Sequence, residues 1–252
     1  MKSVARMGLC LLLAGAFATP GVGLAQSVIG SSCATFPAVF NQQQVVTLNQ
    51  SVAAGRLIVV GVAVNAPANF TGISDSAASS YPIVNAVALY GGTGILAAYA
   101  RRTTSVLNAG SSITLQFFST GSTTAQSCVS VASFPGVLPI TSPDDAYGSN
   151  SGSGSSLAVT SSTPTQYANE LVYSVFASAA TPGAIAALAP AYGLGATCSG
   201  DSTLCVLPAW NFGASAAGIY EGADASSANA VSWGALSITF RSNERIFADG
   251  FE

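Results

Sequence analysis

Leu57-Ile58-Val59-Val60-Gly61-Val62-Ala63-Val64 is the longest near-continuous β-branched run beyond the N-terminal leader. Eight apolar residues are short for a helix buried on all sides. The Val and Ile content, with Gly55 just ahead, favours a strand covered on both faces. Such a strand lies inside a sandwich or barrel, not at its edge.

Working outward, Val45-Val46-Thr47-Leu48 reads as a short edge strand. Ile83, Val84, Val87 and Leu89 form an apolar segment that the turn Gly91-Gly92-Thr93-Gly94 joins to Ile95-Leu96-Ala97-Ala98-Tyr99, a hairpin. Ile113-Thr114-Leu115-Gln116-Phe117 alternates with its apolar face on odd positions. Cys128 to Phe134, Leu157 to Thr160, Glu170 to Phe176 and Leu236 to Phe240 continue in the same style. Two stretches read otherwise. Ala184-Ile-Ala-Ala-Leu-Ala189 before Pro190 suits a helical turn, and the Ser/Gly/Asn run Ser149 to Ser156 suits a flexible loop. About ten short strands with turn signals between them predict an all-β fold. The expected form is a single-domain, two-sheet antiparallel β-sandwich, jelly-roll-like, ahead of a propeller or open barrel.

Met1 to Ala25 has the three parts of a signal peptide: Lys2 and Arg6, an apolar core from Met7 to Ala18, and small residues before a cut after Gly23-Leu24-Ala25. The core is too short for a permanent anchor. The expected layout is a signal peptide (1–25), a β-sandwich domain (26–243) and a C-terminal tail (244–252), with the mature chain secreted or held at the cell surface. The chain has no histidine. Beyond the leader, the five cations Arg56, Arg101, Arg102, Arg241 and Arg245 face ten acids, a net charge of −5. Nucleic acid and anionic membranes need clustered cations, so neither is an expected partner. No further stretch reads as a transmembrane segment.

Cys33, Cys128, Cys198 and Cys205 remain after cleavage, an even number in an exported chain. Four cysteines allow three pairings. Cys198 with Cys205, closing the polar loop Ser199 to Leu204, and Cys33 with Cys128, pinning the N-terminus to a central strand, is the preferred set. Without a Cys-x-x-Cys pair, zinc is the weaker use of these thiols.

The succession Gly55-Arg-Leu-Ile-Val-Val-Gly-Val-Ala63, Ile73-Ser-Asp-Ser76 before Tyr81, Asn108-Ala-Gly-Ser-Ser-Ile-Thr114, Ala168-Asn-Glu-Leu-Val172, and Trp233 before Ser237-Ile-Thr-Phe240 covers most of the mature chain. It resembles a widespread group of bacterial and phage surface β-sandwich modules. The resemblance implies architecture and little chemistry, and the Cys198 to Cys205 loop departs from it as a local insertion. Glu244-Arg-Ile-Phe-Ala-Asp-Gly-Phe-Glu252 resembles a short C-terminal tag on exported gamma-proteobacterial proteins. That resemblance implies a sorting or display signal. The other reading is a closing segment whose Ile246, Phe247 and Phe251 pack on the sandwich.

Lack of histidine excludes Ser-His-Asp and Cys-His catalysis and His-ligated metals. Paired carboxylates remain, and the nearest are Glu221 with Asp224 and Asp144 with Asp145. Neither pair alternates along one strand face as a jelly-roll glycoside hydrolase requires, so no enzyme is expected. Calcium is the one cofactor that suits loop acids, with Asp75, Asp144 and Asp145 as candidates and Asp201 and Asp224 beside them. Turn-forming Asp is the competing and favoured reading. Glu170 could face a backbone amide at a strand start. For carbohydrate, Trp210, Tyr192, Tyr147 and Tyr220 lie in or beside polar, Gly-rich segments, whereas Trp233 reads as core. The expected protein is a non-enzymatic exported binding or structural module, its partner an envelope polysaccharide or another surface protein. A carbohydrate-binding module is the first alternative and a jelly-roll glycoside hydrolase the second.

Overall fold

The computed structural model describes residues 27–36, 42–66, 68–92, 94–119, 124–138, 144–168, 170–179, 185–188, 192–212 and 221–241. The expected leader and tail lie outside these residues. All regular structure among them is antiparallel strand.

The first eight strands are β1 (Ser27–Phe36), β2 (Gln42–Thr47), β3 (Leu57–Val64), β4 (Ala68–Asp75), β5 (Ile83–Ala88), β6 (Ile95–Arg102), β7 (Ser112–Ser119) and β8 (Ala125–Phe134). They form two sheets, in the orders β1-β8-β3-β6-β5 and β2-β7-β4. Successive strands from β1 to β4 alternate between the sheets, and β7 and β8 do so again, which is the winding of a jelly roll. Between the sheets, Ile58, Val60, Val62 and Val64 of β3 pack with Val46, Ile73, Ile113 and Leu115.

The chain between β4 and β5 departs from a full jelly roll. Residues 79–81 pair with β4: Asp75 N donates to Ser79 O (3.0 Å) and Tyr81 N to Ile73 O (2.8 Å). At Pro82, which has no N–H to continue the ladder, the strand leaves that sheet and pairs with β6 instead. The first half of β4, from Ala68 to Gly72, therefore has β7 on one edge and no strand on the other among the described residues.

The sandwich expected from sequence has two sheets, and the molecule adds a third. The strands β9 (Asp144–Thr160), β10 (Leu171–Ala179), β11 (Ile185–Ala187), β12 (Tyr192–Gly193), β13 (Thr197–Cys198), β14 (Leu204–Phe212) and β15 (Glu221–Phe240) build it. Its path runs β11-β15-β10-β14-β12, with β9 beside β15 and β13 beside β14. It covers the second face of β3, where Leu57, Val59 and Ala63 meet Tyr173, Val175 and Leu236. A strand apolar on both faces needs a cover on each side, and a two-sheet sandwich supplies only one. Gly61 marks the close approach. A Cβ there would stand 2.8 Å from Val175 Cγ2 and 3.4 Å from the Tyr173 hydroxyl.

Ser149 to Ser156, expected as a flexible loop, lies within β9. The ribbon of β9 and β15 folds over: Asn150 Nδ2 donates to Ala158 O (2.9 Å) and Ser162 N to Tyr147 O (2.7 Å). On a straight strand residues 150 and 158 would be roughly 27 Å apart. Glycines permit the fold, because a Cβ on Gly148 would collide with the Thr160 carbonyl and one on Gly152 would lie 2.8 Å from the Trp233 ring. The folded half lays Leu157 and Val159 over Phe176, Leu207 and Trp233. The helical turn expected over Ala184–Ala189 is also corrected: Ile185–Ala187 pairs with residues 225–227, and the ladder on offer outweighs the helix preference of alanine.

Both expected disulfides are present. Cys33–Cys128 ties β1 to β8, and Cys198–Cys205 ties β13 to β14. Two such bonds suit a non-reducing compartment. Among the described residues, no helix is long and apolar enough to cross a membrane.

Candidate functional site

A cleft of about 350 Å³ occupies the gap that β5 leaves beside β4. Its walls are Phe70, Thr71 and Gly72 of β4, Ile83 of β5 and Ile95 of β6, over a floor of Tyr81 and Tyr99. Such a volume lies at the small end of the range for small-molecule sites, which are mostly apolar with a few placed polar groups. Ile83 stands at the mouth, 55% exposed. The rings form a continuous series, Phe70 lying edge-on to Tyr99 (5.8 Å) and to Phe117 (6.3 Å), and Phe117 edge-on to Phe36 (5.0 Å).

The floor is held in place by a turn. Asp75 Oδ1 accepts from the Ala77 and Ser79 amides, both at 2.9 Å, and Oδ2 accepts from the Tyr81 hydroxyl at 3.2 Å. These bonds stabilise Ala78 at φ 60°, a left-handed conformation that alanine rarely adopts. Burial, then the Asp75 charge, pushes the Tyr81 hydroxyl above its ordinary pKa, so it stays protonated and donates. Burial does the same to Tyr99.

A second groove, about 390 Å³, meets the cleft at Thr71 and is lined by Gln42, Gln43, Gln116 and Phe117. The register places Gln43 opposite Gln116 and Gln116 opposite Gly72, a row across all three strands. A bulge between Phe70 and Gly72 puts Thr71 at the junction. A Cβ on Gly72 would have no neighbour within 4 Å, so that end of the row is open.

The residues expected from sequence to bind sugar do not assemble here. Trp210 is 6% exposed in the core beside Phe134, ring centroids 6.5 Å apart, so the platform role is corrected: a ring enclosed between sheets offers no face to a ligand in solvent. Tyr147 is half-buried against the same core and its hydroxyl donates to Asp144 Oδ2. Only the backbone of Tyr192 is described, pairing with Trp210, and Tyr220 lies outside the described residues. Trp233 is core, as expected.

The candidate calcium ligands are dispersed. Asp75 caps its turn. Asp144 takes the Tyr147 hydroxyl. Asp145 pairs with Arg241 Nη2 (3.3 Å) and accepts from Gln166 N (2.6 Å). Asp201 accepts from Ser199 Oγ, Thr203 N, Thr203 Oγ1 and Gln126 Nε2, bonds that hold its carboxyl well below the usual range. Asp224 is exposed on β15, and the side chain of Glu221 is outside the described set. Among the described residues, no three His, Cys, Asp or Glu side chains converge to hold a metal ion.

Glu170 differs most from expectation. It is 0% exposed, and neither carboxyl oxygen has a hydrogen-bond partner of good geometry among the described residues, a backbone amide included. Burial pushes its pKa up to about 7; the nearby Asp145 carboxylate adds to the rise, while the Thr239 hydroxyl and the Arg241 charge oppose it. Arg241 also lies 4.4 Å over the Tyr167 ring. These groups tie the end of β15 to the start of β9, away from the residues that line either groove.

Sequence reading missed the cleft because Tyr99 reads only as part of a hairpin strand, while Phe70 and Tyr81 lie between the strands read from periodicity. The available signal was Pro82, a residue unable to continue a ladder in the middle of an apolar run. Comparison with family models, with curated proteins and with solved structures finds no match for this chain.

Proposed function

We propose that the chain is an exported, non-catalytic recognition module that binds its partner, cell-envelope material, through the cleft beside β4. The observation that carries this reading is the cleft itself: an aromatic, solvent-open recess at a defined interruption of the jelly roll, its floor fixed by the Asp75 turn. The residues lining both grooves are neutral, and a glycoside hydrolase needs two carboxylates flanking its substrate. Among the described acids, Asp75 and Asp201 cap turns, the Asp145 and Glu170 side chains are buried, and none lines either groove. Two disulfides and hydroxyl- and amide-rich outer strands suit work outside the cytoplasm.

Gly72→Trp tests it. The open space at Gly72 and its ordinary φ accommodate the ring, which crowds the rim of the cleft without entering the core. Wild-type mature protein is expected to be retained on washed envelope material. Gly72→Trp is expected to melt at the same temperature and lose that retention. Equal retention of the two proteins, or no retention of wild type, contradicts the reading.

A further inference from the structure

We propose that the cleft and the amide groove are two parts of one site, and that its ligand is a neutral glycan chain lying across Thr71; this rests on the recognition reading above. The two recesses share Thr71, and Phe70 and Phe117 link them through one ring contact. They offer complementary chemistry. A sugar ring has an apolar C–H face, which suits the walls of Phe70, Ile83 and Ile95, and a rim of hydroxyls that are both donors and acceptors. Glutamine amides meet such a rim from both sides, since each carries two N–H donors and an accepting oxygen. Gln43 and Gln116 stand next to each other across β2 and β7, exposed and in register with the open position at Gly72.

Charge selects the class. The lining residues include no cation and no acid. Asp75, the ionisable carboxylate nearest the floor, is buried and engaged by three donors, and Arg101 is drawn to the Ser80 carbonyl at 2.7 Å. A uronic-acid or phosphate-bearing chain would find no counter-ion among the lining residues, Arg101 standing outside them. The free edge of β4 invites a different ligand, a peptide added as a strand. The bulge between Phe70 and Gly72 breaks the regular spacing of N–H and C=O groups that such pairing requires, so the glycan is favoured.

The test uses mature wild-type protein, the cleft-mouth variant Ile83→Asp and the double variant Gln43→Ala/Gln116→Ala. The probes are linear neutral oligosaccharides of graded length, built from hexose, pentose or N-acetylhexosamine units, with uronic-acid oligomers and an extended peptide library for comparison. Wild type is expected to bind one neutral series with affinity that rises with length until both recesses are filled. Ile83→Asp is expected to lose all lengths by tenfold or more. The double glutamine variant is expected to lose about tenfold on long chains, as two hydrogen bonds of roughly 0.7 kcal/mol each require, and to bind the disaccharide as wild type does. Uronic-acid oligomers binding as tightly, an affinity independent of length, or binding of peptide alone would overturn the proposal. If no neutral chain binds while Gly72→Trp still abolishes envelope retention, the glycan assignment fails and the recognition cleft stands. If Gly72→Trp leaves envelope retention unchanged, both fall.

Discussion

Glu170 is a carboxyl enclosed in protein beside a second carboxylate, and its ionisation should be felt in stability. Its ordinary pKa of 4.5 is raised to about 7 in the folded chain. Below 4.5 the group is protonated in both folded and unfolded chains, and its stabilising effect is complete. Between these values the unfolded chain releases the proton and the folded chain keeps it, so stability falls as pH rises. The expected result is a melting temperature that declines from about pH 4.5 to about pH 7, and a Glu170→Gln protein that lacks the decline. At pH 8 the variant should be more stable by on the order of 2 kcal/mol. Asp201 acts in the opposite sense, because its depressed pKa gives stability that is lost only as pH falls below the ordinary carboxylate range. A wild-type melting temperature that is level across the Glu170 window would contradict this account. Gly61 gives a second residue-level prediction. Gly61→Val should cost about 3 kcal/mol or more by driving side-chain carbons into Val175. Tyr173→Phe, which removes a buried hydroxyl that has no partner among the described residues, should be neutral or slightly stabilising in chemical denaturation.

Strands were the most legible elements. The odd-position apolar face of Ile113, Leu115 and Phe117 and the unbroken run of β3 are buried as their periods require. The segments that misled are those whose composition favours one state while their neighbours supply another. Ser149 to Ser156 has little intrinsic preference for a strand, yet β15 offers it a ladder and its glycines let the ribbon fold on itself. Ala184–Ala189 prefers helix in isolation and is recruited to the same strand at Ile185–Ala187. The two cysteine pairs were legible because an oxidised loop and a tethered N-terminus are local and topological demands, and β1 shows what the longer one does. It is an edge strand held to β8 by its ladder and by a bridge spanning 95 residues. Cys33→Ser with Cys128→Ser should lower the unfolding free energy by about 4 to 5 kcal/mol on the chain-entropy model. The loop bridge, spanning 7 residues, should contribute only about 2 to 3 kcal/mol. Equal losses in urea titrations of the two double variants would contradict that ordering.

At the scale of the whole molecule, β3 is the shared wall of two cores, one inside the jelly roll and one beneath the outer sheet. Its sequence announced a strand buried on both faces, but periodicity carries no information about how many sheets provide the cover. The candidate site was less legible still. Trp210 and Tyr147 drew attention because large aromatics beside glycine suggest exposed platforms, whereas the outer sheet encloses the first and half-buries the second. The cleft arises from a choice of partner at Pro82, where the chain exchanges β4 for β6, and long-range pairing of that kind leaves only a faint local mark. The recess created by this exchange is where we propose that the protein binds. Hydrogen–deuterium exchange of the mature protein, with and without soluble envelope glycan, would locate the bound surface. Slowed exchange is expected at amides around the cleft, residues 70–72, 81–83 and 95–99, and around the adjoining groove, residues 42–43 and 116–117. Protection confined to the outer sheet from β9 to β15, or none at any amide under saturating ligand, would contradict the proposal.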